Sequence, residues 1–573
     1  MAPSFYMTQS IRKTAPEPLA PISFAIPPSS EATLKNGLRI VVFEDHRLPL
    51  VSYRLMMRTG DRNDPKGWDG LASAVTSLLT EGTRSYSSKQ LAEEIEKIGA
   101  TVSASTSEDF TIIAASALSL YNSEVLRLLE EIVLTPTFPE NELDLYKRNA
   151  VEHLKFQRSQ PGFLAGEQTA RLLYGTHPYA RITPTAEDIE RLSRRPLVDF
   201  HAETFVPNIS TLIVVGDVNT ADIVSDIDSH LGKWQRRDKH EPAFDALPER
   251  SIRTLTIVDR PGSAQSNIVI ANPGIKRNHA DYFPMLVMNQ VLGAGASSRI
   301  FMNLREEKGY TYGAYTRFDA KQLAGDFEAT AEVRSAVTSD SLKEFFYELE
   351  RIRTEKVSED ELADAKNFLT GVFPLRAETQ EGLTNLLVTQ YLYDLPSDYL
   401  QTYRDKVSAI TADQVQEAAR KYVLPDLAAI VIVGDAEEIL VQAINYAEHI
   451  EIFDTEGNPK ELLDYAEPKG DAVSVDGKWD LSIDMQGQKL SVTMRLNQDG
   501  ETVGGTIQTM LGEGKIESGK VQGSKMTAAA KTEIQGESVE FAIVGTVDGN
   551  SMAGTITAPM IPQPLSFTGI RQA

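Results

Sequence analysis

An internal repeat constrains this chain more than any other feature of its 573 residues. The segment FVPNISTLIVVGDV at 205–218 is matched by YVLPDLAAIVIVGDA at 422–436. Each passes from an aromatic residue and a proline, through four consecutive branched aliphatics, to a Gly-Asp stop. A helical pattern precedes each copy, TPTAEDIERL at 183–192 and TADQVQEAA at 411–419, where a Thr followed by an acidic residue supplies an N-cap. PTFPENEL at 136–143 is paralleled by KVSEDEL at 356–362. All three pairs stand about 220 residues apart, so the chain reads as two homologous α+β lobes in tandem. The charged, proline-bearing stretch 231–250 joins them.

Within the first lobe, strands are expected at 38–42 and 51–57, the first entered through the Asn36-Gly37 turn. Leu71, Val75, Leu78 and Leu79 fall on one face of a helix. Helices at 88–98 and 121–134 flank paired strands at 101–107 and 110–115, and Pro139 opens a helix over 140–157. The order β, α, α, β, α recurs after residue 250. Beyond 455 the pattern changes to short alternating runs separated by turns such as QDG and DGN, the signature of a small all-β sandwich or barrel with Trp479 in its core. The expected organisation is an extended segment 1–30, a first lobe 31–240, a second lobe 241–455, a linker 456–475 and a β-rich module 476–573. A barrel could hold an apolar ligand or dock a partner, and its many small residues favour neither.

Bulk composition excludes several classes of function. A net charge of −24 opposes nucleic acid or an anionic membrane as the main partner, because phosphate binding needs clustered Lys and Arg. The chain has no cysteine, which removes disulfides, thiolate metal sites and Cys nucleophiles. No apolar run is long enough for a transmembrane helix. The first thirty residues lack a continuous apolar core, so the sequence as given reads as cytoplasmic, or periplasmic if an export signal has been removed.

Residues 70–83, GLASAVTSLLTEGT, resemble the signature of the M16 (pitrilysin/insulinase-like, M16B-type) zinc metallopeptidases: a Gly-Leu-Ala lead, a His-x-x-Glu-His motif, and Gly-Thr after the helix. The resemblance runs from Asn36 to about Leu440. It includes the Asn-Gly-Leu strand start, GTHPYAR at 175–181, both Val-Gly-Asp strand ends and LGAGASSRIFMNLREEKGYTYG at 292–313. Where the family carries His, Glu and His, this chain has Ser73, Thr76 and Ser77. The chemistry needs two imidazoles one helical turn apart to hold Zn²⁺ and a carboxylate to activate water. Hydroxyls are poor zinc ligands, and the eight histidines form no other His-x-x-x-His pair. No metal site is therefore expected in this chain, and the carboxylates at 142–155, where the family's third ligand would lie, read as a solvated helix face.

The resemblance also implies a second element, an Arg and a Tyr seven residues apart that contact the substrate carbonyl. Arg305 and Tyr312 have that spacing. The residues themselves predict a helix over 298–308, a stop at Gly309 and a strand from 310. A guanidinium and a phenol so placed can donate to a developing oxyanion; equally, Arg305 can pair with Glu306 or Glu307 while Tyr312 sits in a core. Gly293 and Gly295 occupy a turn that lines the substrate chamber in the family. They also fit a plain turn between helices, and a lone Gly-x-Gly after a helix is not a phosphate loop. His177 is a structural landmark.

The resemblance thus implies a non-catalytic subunit of a heteromeric peptidase, inactive alone. A His-x-x-Glu-His-bearing partner would supply zinc, and this chain would supply Arg305, Tyr312 and half the wall of a closed chamber for peptide substrates. The alternatives are a catalytically dead scaffold and a peptide-binding or chaperone protein.

Overall fold

A computed structural model describes residues 26, 28–238, 243–465, 472–485, 488–509, 512–534, 537–557 and 565–572. The chain divides into two compact units, residues 1–460 and 461–573.

In the larger unit the sequence repeat becomes a repeat of sheet topology. The first sheet contains β1 (Ser30–Thr33), β2 (Arg39–Glu44), β3 (Leu50–Met57), β4 (Thr101–Thr106), β5 (Thr111–Leu118) and β6 (Ser210–Gly216), in the order β1-β2-β6-β3-β5-β4. The second contains β7 (Thr254–Asp259), β8 (Gln265–Pro273), β9 (Thr311–Ala320), β10 (Gly325–Arg334), β11 (Ala429–Gly434), β12 (His449–Phe453) and β13 (Pro459–Lys460), in the order β13-β12-β7-β11-β8-β10-β9. The five-strand cores β2-β6-β3-β5-β4 and β7-β11-β8-β10-β9 correspond strand for strand in order. β2 and β6 pair in parallel, as do β7 and β11, and the remaining core pairs are antiparallel. The matched Val-Gly-Asp segments are the central strands β6 and β11. Every residue of β11 is buried, as a strand covered on both faces requires.

The two halves exchange a helix. In β3, Tyr53 and Leu55 face the first lobe's own helices in a core that includes Leu71, Val75, Leu78 and Leu129. Arg54, between them, points the other way and pairs with Glu381 on the helix Gln380–Leu392, which belongs to the second half of the chain. That helix lies on β3 and β6, and Gln380 Nε2 donates to the carbonyl of Leu50 at 3.0 Å. Its counterpart in the first half, Pro161–Tyr174, lies on β8 and β11 of the second sheet, packing Leu164, Ala165 and Leu173 against Val269, Val431 and Val433. Each sheet is therefore covered on one face by a helix that the other half of the sequence supplies.

A polar junction ties the lobes at one end. The turn after β3 and the β4–β5 hairpin meet the β9–β10 hairpin, where buried Arg62 and Asp109 pair at 2.9 Å. Tyr179 Oη donates to Asp109 at 2.6 Å, Gln322 N to Asp109 at 3.1 Å and Lys321 Nζ to Glu108 at 2.8 Å.

The second unit is a closed, eight-stranded, up-and-down antiparallel barrel, β14 (Gly477–Met485) to β21 (Leu565–Arg571), sealed by pairing of β14 with β21. Trp479, Leu481 and Ile483 alternate into its interior with Met494, Met526 and Phe567. Trp479 is fully buried and its indole N–H donates to the carbonyl of Val475 at 2.8 Å.

Candidate functional site

The helix Leu71–Leu78 carries Ser73, Thr76 and Ser77, the three positions that the sequence resemblance sets against the metal motif. Its N-terminus is held by Asp64, which accepts the backbone N–H groups of Gly70, Leu71 and Ala72 at 2.7, 3.2 and 2.8 Å. This carboxylate satisfies donors that the helix itself leaves open. Ser73 Oγ donates to Asp61 at 2.9 Å. Thr76 is buried, with its hydroxyl unpartnered among the described residues, and Ser77 is exposed. Burial raises the Asp61 carboxyl to about 6, and burial together with the neighbouring Asp61 charge raises Asp64 to about 7.

Zinc does not fit this helix. Ser73 is committed as a donor to Asp61, Thr76 faces the core, and no group of three or more His, Asp or Glu side chains among the described residues is arranged to hold a metal. On the neighbouring helix Glu140–Arg158, Asp144 and Glu152 are exposed and Glu152 pairs with Lys155. Asp61 and Asp64 were not singled out by sequence reasoning; the signal was Asp-Pro followed by Trp-Asp-Gly just ahead of an apolar helix.

The segment around Arg305 departs from the expected α-helix. Only Arg299–Phe301 is α-helical, and Met302–Glu307 widens into a π-helical turn in which Lys308 N donates to Asn303 O at 3.0 Å. Inward-facing Asn303 explains the widening: its amide reaches Glu348 at 3.0 Å and Glu344 at 3.1 Å on the adjacent helix Thr338–Thr354. Gly309 ends the turn at φ +66°, a conformation that favours glycine, and the chain enters β9 at Thr311.

Tyr312 then meets an irregularity. Thr311 pairs with Val333 and Ala314 with Ala331, so two residues of β9 stand opposite Glu332 alone. A bulge of this kind turns a side chain away from its regular direction. Tyr312 is 93% exposed, which removes it from any core of this chain. Arg305 is half-exposed. Its Nε donates to the carbonyl of Tyr312 at 3.0 Å, its Nη1 pairs with Glu306, and its guanidinium lies 5.2 Å from the Phe301 ring. The expected pairing with Glu306 and the proximity to Tyr312 thus coexist.

Gly293 and Gly295 lie in the turn between the helix Tyr282–Leu292 and Arg299–Phe301. Gly293 has a packing reason: its carbonyl accepts Thr316 N at 2.9 Å, and a Cβ there would stand 2.4 Å from that nitrogen. Gly295 accepts Ser298 N at 3.0 Å. His177 is buried and accepts the Tyr179 N–H at 3.2 Å, a structural role, and burial lowers its pKa.

The two halves of the sequence-predicted site do not meet within the chain. No hydrogen bond, ion pair or ring contact among the described residues joins Arg305 or Tyr312 to Ser73, Thr76 or Ser77. Ser73 is tied through Asp61 to the interlobe junction, because Asp61 N donates to Ser107 O and Arg62 pairs with Asp109. That junction grips the far end of β9, whereas Tyr312 is at its start, about 26 Å away along an extended strand.

Comparison with known proteins agrees with this architecture. The family profile described as Insulinase (Peptidase family M16) matches residues 39–181, and that described as Peptidase M16 inactive domain matches 191–369. The uncharacterized zinc protease YmxG of Bacillus subtilis is 23% identical over 406 residues, spanning 69% of this chain and 96% of the relative. The non-peptidase homolog YmxG of Helicobacter pylori is 24% identical over 381 residues, covering 66% and 87%. Among solved structures, a peptidase M16 inactive domain from Pseudomonas fluorescens aligns with a TM-score of 0.66 at 27% identity, covering 71% of this chain and 98% of its own. The two M16 profiles, matched in tandem over most of 39–369, and the shared two-lobed fold therefore place this chain in the M16 family of insulinase-like peptidases, as a member whose sequence has no His-x-x-Glu-His motif.

Proposed function

We propose that this chain is the non-catalytic subunit of a heteromeric M16-type peptidase and presents Arg305 and Tyr312 to peptides cleaved at the zinc of a His-x-x-Glu-His-bearing partner. One observation carries the reading: a tyrosine that is 93% exposed, held at a bulge beside an arginine on a π-helical turn, in a chain whose own metal positions are Ser73, Thr76 and Ser77. Bulges and π-helical turns are features that recur next to functional sites. Both side chains can donate, the phenol through its hydroxyl and Arg305 through Nη2, which makes no bond among the described residues. Donors aimed at a carbonyl oxygen that gains negative charge lower the barrier to hydrolysis. β9 is the edge of its sheet, so its open backbone offers an extended peptide a strand to pair with, beside Tyr312 and half-exposed Tyr315. The separation of Tyr312 from the Ser73 helix supports action in trans.

The test is zinc content and peptide hydrolysis by the purified chain, alone and mixed with a His-x-x-Glu-His-bearing relative from the same source. Expected are no stoichiometric zinc and no cleavage alone, cleavage on mixing, and a loss of about 10²-fold in kcat for Arg305→Ala or Tyr312→Phe in the mixture. Cleavage by the chain alone would overturn the reading. A second reading, a catalytically dead scaffold, is favoured by the description of the Helicobacter pylori relative as a non-peptidase homolog; it is supported if both substitutions leave the activity of the mixture unchanged.

A further inference from the structure

The second lobe contains a cleft of about 490 Å³ that neither Arg305, Tyr312 nor the turn at Gly293 lines. Its walls come from the loop and helix start at 277–284, from Leu395, Pro396 and Tyr399, and from Lys406, Ile410 and Gln414. Apolar groups dominate, and at one side stands Arg277, only 8% exposed.

Burying a guanidinium is costly unless a counter-charge is present, and buried arginines are ordinarily paired with a carboxylate. Arg277 has no carboxylate within ion-pair reach among the described residues. Its surroundings are aromatic instead. The guanidinium carbon lies 3.7 Å from the ring centre of Tyr282, 5.2 Å from that of Tyr399 and 5.9 Å from that of Tyr393. Among the described residues its one side-chain hydrogen bond runs from Nη2 to Tyr399 Oη at 2.6 Å. The rings fix the plane of the fork and lower its hydration without neutralising it. Arg277 also lines a cleft with room for a small molecule.

The other charges at the cleft do not supply the missing anion. Asp281, the carboxylate in its lining, accepts Tyr422 Oη at 2.6 Å and lies 3.6 Å from Lys421 Nζ. Lys406 adds a second cation, 5.8 Å from the centre of the Phe283 ring. The cleft therefore combines a pre-oriented planar fork, a flexible ammonium and apolar walls. An anion with an apolar body satisfies all three, and a carboxylate matches the fork in two parallel hydrogen bonds.

We propose that this cleft binds an organic monocarboxylate with an apolar or aromatic body, its carboxylate on Arg277 and its body against Phe283, Pro284 and Ile410. The same chemistry has two sources, the C-terminus of a peptide or a free small acid.

The test is calorimetric titration of the full chain with the free acid acetyl-Ala-Ala-Phe, its C-terminal amide, 3-phenylpropionate and inorganic phosphate. The expected result is binding of at least one of the two carboxylates, with the amide and phosphate bound at least about tenfold more weakly. Binding of the tripeptide acid alone identifies a peptide C-terminus as the source, and binding of 3-phenylpropionate identifies a free acid. Arg277→Met should abolish binding. Arg277→Lys keeps the charge but loses the fork, and Lys406→Met leaves the buried fork in place; each should weaken binding several-fold, so the proposal stays testable if the methionine variant at 277 does not fold. An amide that binds as well as the acid, unchanged binding in Arg277→Lys, or no binding of either carboxylate at about 10 mM, a concentration that detects even millimolar sites, would overturn it.

Discussion

Tyr312 and Gly293 stand on either side of the line between function and packing. Tyr312 projects into solvent, so Tyr312→Ala should leave the denaturation midpoint unchanged to within about 0.5 kcal/mol. A loss of activity in the mixture could then be assigned to the side chain itself. Gly293→Ala should destabilise by about 1–3 kcal/mol, because its Cβ would stand 2.4 Å from the backbone nitrogen of Thr316, which cannot move without disturbing β9. Urea denaturation of both variants separates the two cases. The spacing of Arg305 and Tyr312 was legible in the sequence, as were the stop at Gly309 and the loss of ligands at 73, 76 and 77. The bulge was not, because it exists only in the register between β9 and β10. Nor was the π-helical turn, which answers to Asn303 and its glutamate partners more than 40 residues away in sequence. Arg277 gave no signal because its tyrosines come from 282, 393 and 399, and only folding brings the last two to it.

At the scale of the element, the helix Leu71–Leu78 is governed by two buried acids. Both folded-state pKa values are raised, Asp61 to about 6 and Asp64 to about 7, chiefly by burial. The folded chain therefore binds more protons than the unfolded chain between about pH 4 and 7, and stability falls as pH rises through that window. Glu361 has the opposite sign. Its hydrogen bonds from Arg299, at 2.7 and 3.0 Å, lower it to about 2, so its contribution is lost only as pH falls below about 4.5. The two windows barely overlap. Hydrogen exchange, corrected for the intrinsic pH dependence, should show stronger protection of the amides at 70–78 at pH 5 than at pH 8. Asp64→Asn should flatten that difference, since the side chain no longer ionises; its single oxygen can replace one of the two acceptors while its NH2 cannot, so the helix start is also weakened at both pH values. Equal protection at the two pH values in the unaltered chain would refute the assignment. The element itself was predicted from its apolar face, whereas its N-terminal anchor was not: Asp64 lies six residues ahead of Gly70, outside the usual capping position.

The molecule as a whole follows from what the repeat does in three dimensions. Two copies of one motif could fold as two independent domains, and the sequence alone leaves that possibility open, since both copies carry complete strand patterns. The exchange of Pro161–Tyr174 and Gln380–Leu392 argues against it. Each sheet has central strands buried on both faces, and one of those faces is covered by a helix that the other half of the chain must deliver. Removing a helix contact from one sheet should therefore loosen both. Leu387 is 2% exposed on the helix that covers β3 and β6, and Leu387→Ala should destabilise by about 2–5 kcal/mol. In hydrogen exchange through the thermal transition, protection in β3 and β6 should fall together with that in β8 and β11, because the second half cannot stay folded while its exchanged helix is released. The barrel, a separate compact unit with its own core around Trp479, should keep its protection. If β8 and β11 hold their protection while β3 and β6 lose theirs, the lobes are independent domains, and the exchanged helices only dock them. If all four strands move together, the two-lobed unit is one cooperative body.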